Sequence, residues 1–141
     1  MYLRDLSPYP YKGVSQFLGT LSVGWLAKQY PYSQGETSED FKERLFVFCL
    51  NHVRQTRGFH VCEFCTPSPP FLVYAQRGDK EVWLGSAEIR VVYQGNIYAA
   101  PDLIYHYVIE HQYRPPDEFI EAVLEGPLPG SPKYETLIEK L

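Results

Sequence analysis

The chain has 141 residues, a length that predicts one domain (1–141) able to bury roughly two thirds of its extended-chain surface. Its 45% hydrophobic and 21% charged residues are those of an ordinary soluble globule, with an excess of aromatics (12 Tyr, 8 Phe, 2 Trp) and 12 Pro. A formal charge of −4 argues against nonspecific binding to nucleic acid or acidic membranes, which needs a basic face, and the longest apolar run, Leu45 to Leu50, is far too short to span a bilayer.

Residues 1–19 read as an extended arm pinned by the aromatics of Ser7-Pro8-Tyr9-Pro10-Tyr11. Arg4, Asp5, Pro8 and Pro10 stand where a signal peptide needs an apolar core, so a cytoplasmic location is expected. A short strand is predicted over Thr20–Leu26, then a loop at Tyr30–Gly35. Thr37-Ser38-Glu39-Asp40 has a capping-box pattern, opening a helix from Ser38 to about Val53. An antiparallel meander follows: Phe71–Gln76, a turn at Arg77–Lys80, Glu81–Leu84, Ala87–Tyr93, a turn at Gln94–Asn96, and Ile97–Ala99. The alternation Glu88-Ile89-Arg90-Val91 predicts a strand with one wet face. Pro101 suits the first position of a helix with Asp102 in its first turn, ending near His111 because Arg114-Pro115-Pro116 cannot extend it. Asp117–Leu124 is a further short helix closed by Gly126, and after the Pro127–Gly130 linker Ser131-Pro132 starts a terminal helix to Leu141. The fold class is α+β: a small antiparallel meander with three to four helices.

Chemistry concentrates in two motifs. Cys62-Glu63-Phe64-Cys65 is a C-x-x-C, and His106-Tyr107-Val108-Ile109-Glu110-His111 is an H-x-x-x-x-H. Two thiols and two imidazoles at these spacings are the ligand set of a tetrahedral structural zinc site, and they predict Cys62, Cys65, His106 and His111 as metal ligands. Thiolates select zinc over magnesium or calcium. A dithiol redox centre ranks below metal binding, because such motifs sit at a helix N-terminus and Pro67, Pro69 and Pro70 forbid one here. On an ideal helix five positions turn about 140°, so the imidazoles converge only if the last turn loosens. Otherwise His111 joins Ile104 and Val108 on a core stripe. His60 is a rival ligand, and Glu63, Asp102 and Glu110 are candidate acceptors for an imidazole N–H. Cys49, inside an apolar run, reads as a core residue. A zinc nucleobase deaminase is ruled out because His60-Val61-Cys62 lacks its H-x-E, and no phosphate-binding loop or nucleophile elbow is present.

The runs 57–65, 84–91, 98–108 and 111–119 resemble a family of small bacterial proteins of unknown function. That family has a C-x-x-C knuckle and an A-P-x-L-I-x-H-Y-V-x-x-H-x-Y-x-P-P-x-E-F block. The likeness spans most of residues 20–125 and implies that Cys62, Cys65, His106 and His111 act as a unit; it implies no activity. A closed four-ligand site leaves no position for substrate, so the expected function is a non-enzymatic, zinc-stabilised module that binds a protein partner. An immunity-type protein neutralising a basic toxin is its special case. The alternative is a small zinc-dependent hydrolase with an open coordination position and Glu63, Glu88 or Glu110 as base. A third possibility is a domain acting inside a larger assembly through its C-terminal helices.

Overall fold

A computed structural model describes residues 2–10, 19–55, 61–65 and 73–139. In chain order the elements are β1 Thr20–Ser22, α1 Glu39–Leu50, β2 Arg54–Gln55, β3 Val73–Arg77, β4 Lys80–Leu84, β5 Ala87–Tyr93, β6 Asn96–Pro101, α2 Ile104–His111, α3 Asp117–Glu125 and α4 Pro132–Glu139. The fold is α+β, with four helices and antiparallel hairpins among the described residues, as expected.

The predicted meander divides into two sheets. β3 and β4 form a separate hairpin, and the main sheet has the order β1-β6-β5-β2. The break falls at Gly85, whose φ of +120° turns the chain and whose amide donates to Asp102 Oδ1. β1 is shorter than predicted and pairs in parallel with β6, Thr20 opposite Ile97. β2, which no pattern announced, pairs antiparallel with β5 through Arg54 opposite Glu88.

α1 begins where its cap directs: the Ser38 hydroxyl accepts from the Phe41 amide, and Glu39 and Asp40 occupy the first turn. It ends at Leu50 rather than near Val53, whose amide instead donates to the Glu88 carbonyl. Phe41, Leu45, Phe46, Phe48 and Cys49 are buried, so α1 is the central helix of the core. Around it, α2, α3 and the Ile89, Val91, Tyr98 and Ala100 face of the main sheet complete one large cluster. Arg44 reaches from α1 to the Val123 and Gly126 carbonyls at the end of α3, filling acceptors that the helix leaves open. The predicted ends of the later helices fall close to those observed, with α4 described to Glu139.

Two local expectations are corrected. Pro101 closes β6, opposite Glu88, and does not open a helix; α2 starts at Ile104 with Leu103 as its cap. β1 reaches only to Ala99 on that side, so the missing proline N–H forfeits no ladder bond to it. Second, Glu88 and Arg90 face no water: they are 5% and 1% exposed and form a buried ion pair at 3.0 Å. Residues 2–10 of the N-terminal arm cover this side of the sheet, while residues 11–18 lie outside the described residues. Leu6 and Tyr9 amides donate to Ser22 and Thr20 carbonyls, and the Tyr9 ring stacks on Trp25. The Tyr9 hydroxyl donates to Glu88 Oε1, and the Arg90 guanidinium lies 5.1 Å from the Tyr9 ring centre.

The tyrosine excess has a structural explanation. Among the described residues six tyrosines are buried, and the hydroxyls of five of them join distant segments. Tyr98 donates to Glu118, Tyr113 to Asp5 and Tyr134 to the Arg90 carbonyl, while Tyr105 accepts from Arg77.

Candidate metal centre

The knuckle 61–65 folds as a tight turn against α2. The Phe64 and Cys65 amides point at the Cys62 sulfur, an arrangement that favours thiolate. Phe64 is wedged edge-on against Tyr32 and Tyr107 and tilted against the His111 ring. The Glu63 carboxylate accepts from the Lys28 amide, tying the turn to the segment after β1. On the other side, the Tyr32 hydroxyl donates to the His111 carbonyl at the end of α2. Sequence reasoning missed Tyr32, Lys28 and Phe64 because long-range packing leaves no mark in local spacing.

The two imidazoles do converge. His106 is the third residue of α2 and His111 its last, and the helix end is widened. The Gln112 and Tyr113 amides both return to the Tyr107 carbonyl, five and six residues back, in place of the α-helical four. Gln112 takes a left-handed conformation, φ 54°, to end the helix. A wider turn carries more residues per revolution, which brings position 111 round toward position 106.

The Sγ of Cys65 lies 3.2 Å from Nε2 of His106 and 3.6 Å from Nε2 of His111, and the Sγ of Cys62 lies 3.4 Å from Nε2 of His111. All four donor atoms fall within 4.8 Å of one another. Cys62 and His106 are buried, His111 half-buried and Cys65 exposed. Burial lowers the His106 pKa, aided by the neighbouring His111 and opposed by Glu110, a shift toward the neutral ring that metal binding needs. Burial pushes the Cys62 thiol up to about 11, so in metal-free protein it stays protonated and binding must release that proton. The Cys2His2 cluster could hold a metal ion.

Of the other sequence candidates, Asp102 serves the Gly85 amide and Glu63 the Lys28 amide, so each carboxylate has an amide partner away from the cluster. Cys49 is fully buried, its thiol donating to the Asp102 carbonyl at 3.5 Å. His60 lies outside the described residues. No helix among the described residues is long and apolar enough to cross a membrane.

Fold and cluster together define an α+β protein with a Cys2His2 group joining a loop to a helix. The family model described as Domain of unknown function (DUF7919) matches residues 1–124, and the chain belongs to that family. The match takes in the N-terminal arm, which the sequence resemblance left out. No curated protein and no solved structure matches the chain.

Proposed function

We propose that Cys62, Cys65, His106 and His111 bind one zinc ion in a closed tetrahedral shell, and that the metal is structural. The carrying observation is the spacing of the donor atoms. Zn–S bonds of about 2.3 Å and Zn–N bonds of about 2.0 Å at tetrahedral angles put sulfur and nitrogen about 3.5 Å apart. Three of the four sulfur–nitrogen separations run from 3.2 to 3.6 Å, and the fourth, Cys62 to His106, lies within 4.8 Å. Protein purified without added metal should carry about one equivalent of zinc by elemental analysis. Its X-ray absorption spectrum should fit two sulfur and two nitrogen scatterers. A folded, metal-free preparation overturns the reading.

With four protein ligands in place the ion has no position for substrate, so the protein acts by binding and not by catalysis. Its partner is another protein, and an acidic chain suits neutralisation of a basic toxin as an immunity-type protein does. The expected cytoplasmic location fits thiols kept reduced for metal. The support lies in exposed aromatics at Tyr30, Tyr74 and Trp83. The hydrolase alternative has lost a base, since Glu88 is buried against Arg90 and Tyr9. An oxygen scatterer on the metal would restore it.

A further inference from the structure

The β3–β4 hairpin presents two faces of different character. Val73, Ala75, Val82 and Leu84 turn inward onto the core. Tyr74, Gln76, Glu81 and Trp83 have the opposite parity and are exposed. Tyr74 and Trp83 are direct cross-strand partners, 44% and 55% exposed, with ring centres 5.1 Å apart and planes at 61°. They form a corner and not a stack, so aromatic surface is left open to a ligand.

Carboxylates border that corner. The Tyr74 hydroxyl donates to Glu81 Oε2 at 2.5 Å. A cleft of about 140 Å³ between β3 and α2 is lined by Tyr74, Gln76, Tyr105 and Glu110, among others. The basic groups of the hairpin lie elsewhere: Arg77 and Lys80 share the inward parity, and Arg77 is held by Glu39, Glu43 and Tyr105. An open Trp–Tyr corner with carboxylates beside it, and no competing cation from its own strands, has the chemistry that attracts a cation.

We propose that this face docks a lysine or arginine side chain of a partner protein. The guanidinium or ammonium sits against the Trp83 and Tyr74 rings, with Glu81 neutralising its charge and Gln76 accepting a hydrogen bond. The inference rests on the protein-binding reading and gives the partner's contact surface a sign: basic.

The test is an NMR titration of the metal-loaded full chain with hexa-arginine, with hexaglutamate and maltohexaose as controls. The chain has two tryptophans, and the Trp25 indole donates to the Ala99 carbonyl inside the fold, so it serves as an internal reference. The Trp83 indole signal should shift and saturate with hexa-arginine while that of Trp25 stays fixed. Trp83→Ala should weaken binding by about fivefold or more, and Glu81→Gln by a smaller factor that shrinks with added salt. Both positions are exposed, and an unchanged Trp25 signal certifies the fold of each variant. A static Trp83 signal, equal binding by Trp83→Ala, or saturation by maltohexaose instead overturns the proposal. A native partner whose capture is indifferent to Trp83→Ala sinks this site and leaves the protein-binding reading standing. Saturable arginine binding with no protein partner in the host does the reverse.

Discussion

Asp102 sits between β6 and α2 and is 1% exposed; Oδ1 takes the Gly85 amide, and the buried Oδ2 has no hydrogen-bond partner among the described residues. Burial raises its pKa to about 6, against the opposing pull of the Gly85 and Ala87 amides and of His52. The folded chain therefore holds this proton more tightly than the unfolded one, so Asp102 costs stability above pH 6. The cost fades as pH falls toward the ordinary carboxylate range. A displacement of about two pH units corresponds to about 3 kcal/mol. Measured by urea denaturation, the stability of Asp102→Asn relative to wild type should therefore rise by about 3 kcal/mol between pH 4 and pH 8. A constant difference across that range would show that Asp102 does not titrate in the fold. Glu88 and Arg90 teach the complementary lesson. Alternation correctly marks a strand, but polar residues identify the outer face only when nothing covers it, and here Tyr9 arrives from a distant segment to pair with them.

Elements were legible where local chemistry sets them. Ser38 caps α1, prolines 115 and 116 separate α2 from α3, and β5 runs over its expected Ala87–Tyr93. They were illegible where pairing is remote. β2 is two residues long and exists because β5 offers it an edge, and β1 exists through its parallel partner β6. Just after β1 the chain leaves the sheet at Gly24, with φ +80°, and its amide donates to Asp5 Oδ1. A Cβ there would meet the Ile104 side chain at 2.9 Å, so both the conformation and the space demand glycine. Gly24→Ala should destabilise by roughly 2–3 kcal/mol, while Gly78→Ala, at an open hairpin tip with φ +63°, should cost only its backbone strain, roughly 1 kcal/mol. Thermal unfolding of the two variants checks the ranking.

At the scale of the whole molecule, the Cys2His2 group joins a turn at 62–65 to a helix end at 106–111 across the β3–β6 region. The four residues of the cluster and their spacings were readable in the sequence; the widened end of α2 and the Phe64 wedge were not, because both arise from packing. A metal there restricts the unfolded chain as a cross-link does, so its removal should cost several kcal/mol. Dialysis against a strong chelator should lower the melting temperature sharply, and Cys62→Ser and His106→Ala should each do the same without chelator. His60→Ala should have a much smaller effect; an equal one would replace a histidine in the ligand set.

The parallel pairing of β1 with β6 also fixes an order of events during synthesis. Trp25 and its acceptor Ala99 are 74 positions apart, and Thr20 and Ile97 are comparably distant. At about 5–20 residues per second, a ribosome delivers the first of these segments roughly 4–15 s before the second. For that interval β1 and the arm beside it have no sheet to join, and α1 has emerged without the strands that bury its apolar face. The newborn chain therefore spends seconds with apolar surface unburied, and a stalled nascent chain ending before residue 96 should leave residues 1–50 open to protease.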